Sequence, residues 1–177
     1  MISALSSPYD RDILDLAVPA LAGLAAGPLV SLVDTAFVGQ LGRVPLGALG
    51  VNTSIFSMTF VVFNFLAYGT TPRVGWAVGT DDREEAGRVV VRALTLAAGA
   101  GVLALIVLLG LARPLLTLMG ASAELMDPAL AYLRIRALAG PAVLLITASQ
   151  GAFRGYQDTR TPMMVTLGFN VINGGLD

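Results

Sequence analysis

Apolar residues in this chain fall in long runs separated by short polar connectors. The runs extend from about Ile13 to Leu41, Val44 to Thr71, Val89 to Ala112 and Ala129 to Phe153, and a fifth starts near Pro162 and reaches Asp177. A helix crosses a hydrocarbon core with about 20 residues, so four runs are long enough and the fifth, of about 16 residues, is cut short. The pattern predicts an all-α, polytopic transmembrane helical bundle. Met1 to Asp12 carries Asp10 and Asp12 and lacks a positive segment followed by a cleavage site, so it reads as a polar tail and not a signal peptide.

Composition supports a membrane setting. Hydrophobic residues make up 55% of the 177 residues and charged ones only 13%, with a mean hydropathy of +0.77, whereas a soluble domain carries about 25% charged residues. A net charge of -1 offers no basic footprint for nucleic acid. The absence of cysteine and histidine removes disulfides, thiolate chemistry and the commonest zinc ligands.

All basic residues are arginines, and their distribution predicts orientation. Arg73, Arg83 and Arg88 follow the second run, with Arg92 just beyond, and Arg154 and Arg160 follow the fourth. The opposite side holds Arg43 and Arg113, while Arg134 and Arg136 lie early in the fourth run, where long side chains snorkel to the outer interface. The excess places the N-terminus in the cytoplasm. Thr80 or Asp81 is expected to cap the helix that enters the third run.

Asp34 is the most informative single residue. It lies far inside the first run, which has no Lys, Arg or His, and a charge at membrane depth is unfavourable by about 2.5 kcal/mol or more, so such groups usually face a cavity, a partner or an ion path. With a rise of 1.5 Å per residue, Asp34 stands about 30 Å above Leu14 and Asp177 about 23 Å above Pro162, both in the outer half. Asn170, Asn173 and Asp177 share one helical face. That face suits either a binding stripe or interhelical hydrogen bonding, and Asp34 suits either a buried site or an interfacial charge at a helix end. Two carboxylates in one low-dielectric pocket do not both ionise freely, which suits a proton carrier; the same oxygens suit a hard cation.

The remaining polar positions are secondary. Pro28 leaves the Leu24 carbonyl without its donor, so a kink is expected there, while Pro19 reads as an ordinary membrane proline. Gly23 and Gly27 offer a close helix approach. The second run is rich in Asn, Ser and Thr and places Asn64 and Tyr68 on one face, as a wall of a wet cavity or as helix-to-helix glue. The third run is nearly pure Leu, Val, Ala and Gly after Arg92 and reads as lipid-facing.

Several segments together resemble the multidrug and toxic compound extrusion (MATE) family, closest to its DinF-type branch: Val33-Asp34-Thr35-Ala36-Phe37-Val38-Gly39-Gln40-Leu41-Gly42, Leu46-Gly47-Ala48-Leu49-Gly50, Phe153-Arg154-Gly155-Tyr156-Gln157-Asp158-Thr159-Arg160-Thr161-Pro162, and Asn173 with Leu176-Asp177. The resemblance runs along the whole chain. It implies a twelve-helix antiporter of two six-helix lobes that exports organic, often cationic, small molecules in exchange for protons or sodium ions, and it needs no cofactor. Residues 13–177 would be the first five helices of the N-terminal lobe, an N-terminal fragment whose missing partner is the C-terminal lobe. By position, Asp34, Asn173 and Asp177 match the cation-coupling cluster, a possible sodium site, and Gln150 matches a polar position late in helix 4; Asn64, Tyr68 and Asn170 are further cavity candidates. Arg154 and Asp158 match a loop expected to make turn and lobe contacts. No fixed metal site and no catalytic residue follow.

An enzyme is disfavoured. An intramembrane aspartyl protease needs Gly-x-Gly-Asp, where this chain has Gly174-Gly175-Leu176-Asp177, and a serine protease needs a histidine. A lipid-linked precursor flippase of the same superfamily would line its cavity with several basic residues, whereas the candidates here are acidic and amide.

Overall fold

The computed structural model describes the backbone of residues 10–176 and the side chains of residues 13–169 apart from positions 23 and 26. Eight helices follow in order: α1 (Asp10–Gln40), α2 (Arg43–Val61), α3 (Phe65–Gly79), α4 (Arg83–Gly110), α5 (Ala112–Leu118), α6 (Ala123–Ala137), α7 (Gly140–Gly155) and α8 (Arg160–Leu176). No strand occurs among the described residues. Three stretches, Ile13–Gln40, Arg43–Gly79 and Arg83–Gly110, are long and apolar enough to cross a membrane, and α6 with α7 make a fourth, bent by 48°.

The helix limits differ from the apolar runs for local reasons. A short 3-10 turn, Val62–Asn64, joins α2 to α3, and the combined helix runs on to Gly79, so Arg73 lies within it and not in a connector. Asp82, not Thr80 or Asp81, caps α4: its side chain accepts from the Glu85 N–H at 2.9 Å, while Asp81 adopts a left-handed φ of 57° in the turn. That makes α4 start six residues before the apolar run. The fourth run begins earlier than Ala129 and breaks at Leu138 and Ala139, because Pro141 cannot donate to the Ala137 carbonyl and so ends the continuous ladder. Between α1 and α2 the chain turns at Gly42, whose φ of 117° only glycine adopts readily.

The reading of the third run as lipid-facing does not hold. One side of α4 carries buried Ala86, Val89, Ala93, Ala97, Gly101, Ala104 and Leu108, a stripe of small residues spaced three or four apart that seats α3 and α7. Only the other side, with Val91, Leu96, Val102 and Ile106, is exposed. The stripe was legible as Ala and Gly content but was outweighed by overall apolarity.

Close backbone approach holds α3, α4 and α7 together. A Cβ at Gly151 would lie 2.8 Å from the Ala67 backbone and one at Gly155 2.6 Å from Val74, so this four-residue glycine repeat lets α7 lie directly on α3. Thr71 donates its hydroxyl to the Gly151 carbonyl at 3.0 Å across the same seam. Leu66, Ala93, Ala97, Leu144 and Ala148 fill the space between the three helices. A second core joins α2, α5, α6 and the end of α4 through residues including Ile55, Phe56, Leu108, Leu116 and Leu133. There Asn52, fully buried, donates to the Ala48 carbonyl at 2.8 Å and across to the Ala129 carbonyl at 3.1 Å.

α1 is packed differently. It lies against α8 and α2, and none of its most apolar window is buried. Gly27 has no atom within 4 Å of a Cβ built on it, so it does not mark a close helix contact. Asp15, near the start of α1, approaches Arg160 at the start of α8 with 3.9 Å between the charged atoms. From that tie the two helices rise side by side.

Candidate functional site

Asp34 opens onto a cleft of about 710 Å3 between α1, α2 and α6. Ser31, Thr35, Thr53, Tyr132 and Arg136 supply its other polar groups. Asp34 is half-buried, and among the described residues its carboxylate makes no ion pair. The Thr35 hydroxyl is engaged within its own helix, donating to the Ser31 carbonyl at 2.7 Å.

A second cleft, of about 360 Å3, lies lower on α1 and is bounded by α3, α7 and α8. It brings together Tyr68 and Gln150, two of the expected cavity residues, with Arg154 and Thr159. The Thr159 hydroxyl is enclosed without a hydrogen-bond partner. Two prolines bear on this cleft: Pro28 removes the donor to the Leu24 carbonyl and Pro72 the donor to the Tyr68 carbonyl, and Leu24 and Tyr68 both line it. Asn64 sits in the 3-10 turn, exposed, and lines neither cleft. Asp34 does not share a cleft with Tyr68 or Gln150.

The other expected coupling residues are placed only by register. Asn170 and Asn173 belong to α8, but their side chains lie outside the described residues, as does Asp177 altogether. From the Asp15–Arg160 tie, helical rise puts Asp34 about 28 Å and Asn173 about 20 Å up their respective helices. α1 is a single helix that contains both Pro19 and Pro28.

Two arginines were passed over as site residues. Arg136, read as a snorkelling interfacial residue, lines the Asp34 cleft; its guanidinium stands 5.2 Å from the Phe56 ring centroid and 5.7 Å from that of Tyr132, and it donates to the Tyr132 hydroxyl at 2.6 Å. The signal available was the four-residue spacing of Tyr132 and Arg136 on one helical face. Arg154, read as a loop contact, is the last-turn arginine of α7 and lines the second cleft. Beside it, Asp158 accepts from the backbone N–H groups of Arg160 at 3.1 Å and Thr161 at 3.0 Å, fixing the entry to α8. Hydrogen bonding from Thr161, first from its hydroxyl and then from its N–H, holds the Asp158 carboxyl below its usual range.

Long apolar helices whose exposed faces carry Leu, Val and Phe, with polar groups gathered in clefts between them, define a multi-pass membrane protein. The MatE family model matches residues 19–177, and the chain belongs to that family. It is 38% identical to Protein DETOXIFICATION 44, chloroplastic, of Arabidopsis thaliana, over 94% of this chain and 34% of that protein. DNA damage-inducible protein F of Escherichia coli (strain K12) is 32% identical over 98% of this chain and 38% of its own length. Among solved structures, an outward-facing multidrug resistance MATE family transporter of the MOP superfamily superposes with a TM-score of 0.80 at 27% identity, covering 87% of this chain and 34% of that one. The chain thus spans about a third of the length of the proteins it matches. Members of the family are transporters and not enzymes, which sets aside the protease reading.

Proposed function

We propose that this chain forms most of the N-terminal lobe of a cell-membrane antiporter that exports organic, often cationic, compounds in exchange for protons or sodium ions, with its N-terminus in the cytoplasm. The supporting observation is Asp34, half-buried in a cleft of about 710 Å3 with no ion pair among the described residues. Carboxylates at membrane depth usually face a cavity, a partner or an ion path, and an exchangeable proton or hard cation fits this one. Asn173 and Asp177 are proposed to complete the coupling site from α8, and Tyr68, Gln150 and Asn170 to line the route taken by the compound. Each of the two clefts holds a single arginine, Arg136 or Arg154, too few for the pyrophosphate of a lipid-linked precursor.

The test is export of a fluorescent organic cation from proteoliposomes holding a transporter of full family length that carries this sequence. Proton and sodium gradients are imposed separately. One of them is expected to drive export, and Asp34→Asn, which keeps shape and hydrogen bonding but cannot be neutralised by a cation, to abolish it with expression unchanged. Wild-type export by Asp34→Asn would remove the residue from coupling.

A further inference from the structure

Arg136 is fixed in place by groups that do not cancel its charge. The guanidinium lies over the buried Phe56 ring at 5.2 Å and beside Tyr132, to whose hydroxyl it donates at 2.6 Å. Phe56 in turn stacks on Phe60 with ring centroids 5.8 Å apart, so the platform under the cation belongs to the packed part of the lobe. Among the described residues no carboxylate comes within ion-pair distance of it. A guanidinium remains protonated throughout the physiological range.

Among the described residues, the cleft it lines holds one acid and one cation. α1 contributes Asp34 with the neutral Ser31 and Thr35, α2 contributes the neutral Thr53, and α6 contributes Tyr132 and Arg136. α8, which also packs on α1, carries no ionisable residue from Thr161 to Leu176; Asp177 lies outside the described residues. Among the described residues that line this cleft, the one charge facing Asp34 is therefore the aromatic-held guanidinium.

We infer that Arg136 is a tethered counter-ion that sets how tightly Asp34 holds its coupling cation. It is a positioning residue that acts through Asp34 and not by touching the exported compound, and the inference rests on the antiporter reading. A fixed positive charge in the cleft compensates the carboxylate when the cation has left and opposes the cation when it arrives. Both effects weaken binding, and a site that must load and release in each cycle needs binding weak enough to leave. Arg136 and Asp34 line one cleft without an ion pair; taking a separation on the order of 10 Å and an effective dielectric of about 20, the change in cation affinity is on the order of tenfold.

The experiment compares wild type, Arg136→Gln and Arg136→Lys in the transporter of full family length. The half-saturating concentration of proton or sodium is measured twice, from ion-driven export in proteoliposomes and from ion-dependent thermal stabilisation of the purified protein. Arg136→Gln is expected to lower it about tenfold in both measurements. Arg136→Lys keeps the charge while giving up the planar stacking, so it should stay near the wild-type value even if its melting temperature falls. An unchanged value in Arg136→Gln overturns the inference, and so does an equal shift in Arg136→Lys, which would assign the effect to packing of α6 on α2. If wild type exports nothing under either gradient, the antiporter reading fails, while the stabilisation measurement still decides the role of Arg136.

Discussion

Gly101 on α4 sits where α7 crosses, and replacing it with alanine should part the two helices. A Cβ there would lie 2.4 Å from the Pro141 Cα, 3.1 Å from its Cβ and 3.2 Å from its N. Non-bonded carbons pack at about 3.5–4.0 Å, so the helices must separate locally by about 1 Å. The obstacle is backbone and cannot rotate away. Parting α4 from α7 loosens the contacts that Ala97 shares with Leu144 and Ala148. Overpacking of this kind costs about 1–3 kcal/mol, and the upper part of that range applies because no side chain can yield.

The control lies two residues away. A Cβ at Gly99 meets nothing within 4 Å, so Gly99→Ala adds a better helix former in open space and should be neutral or stabilising by up to about 1 kcal/mol. For a unit of this size 1 kcal/mol moves the melting temperature by about 2–4 °C. Gly101→Ala should therefore melt roughly 5–10 °C below Gly99→Ala, measured as the monodisperse fraction left after heating in detergent. Equal melting of the two variants would refute the close α4–α7 crossing at Gly101 and Pro141.

Other outcomes follow from single contacts. Asn52→Ala removes both the α2-internal bond and the bond to the Ala129 carbonyl, and should destabilise by about 0.6–1.7 kcal/mol; Asn52→Leu should cost less, since the amide oxygen of Asn52 is itself buried without a partner. Asp158→Ala should fray the start of α8 at a cost of about 1 kcal/mol, read as faster proteolysis after Arg160. Because the Asp158 carboxyl is held below its usual range by Thr161, its contribution is present above the unfolded value near pH 4 and is lost as pH falls through the lower folded value; Asp158→Asn should erase that pH dependence. Single cysteines at Thr80 and Ser122 should be labelled from the cytoplasmic and outer sides respectively, and reversed labelling would invert the orientation taken from the arginines.

Apolar run length carried most of the fold, because crossing a hydrocarbon core imposes a length that composition reveals directly. It could not locate where helices pack. The Ala and Gly stripe of α4 is apolar like a lipid-facing surface, and its small side chains and its spacing of three and four, not overall apolarity, set it apart. Asp34 was legible because a lone carboxylate stands out against apolar neighbours. Arg136 was not, since an arginine near a span end has an ordinary interfacial explanation, and the Phe56 platform that holds it lies 80 positions earlier in the chain. Asp15 was hidden in the same way: its partner, Arg160, arrives from the far end of the sequence. Long-range pairings of this sort leave no periodicity to read.

α1 divides its length between the two clefts, and Pro28 stands at the division. Below it, Pro19, Ala20 and Leu24 line the cleft that holds Gln150 and Arg154; around and above it, Gly27, Val30, Ser31 and Asp34 line the other. The missing N–H of Pro28 removes one rung of the helix ladder between these halves, which is expected to let the two halves of this single helix flex relative to one another. Pro28→Ala restores the rung to the Leu24 carbonyl and couples the halves. In the transporter of full family length it should slow ion-driven export severalfold without loss of stability, whereas Pro19→Ala, which alters only the lower half, should have a smaller effect. Electron–electron distances between spin labels at Leu14 and Leu41 should narrow in distribution in Pro28→Ala and not in Pro19→Ala. Equal distributions together with equal export would return Pro28 to the class of prolines that a membrane helix simply tolerates.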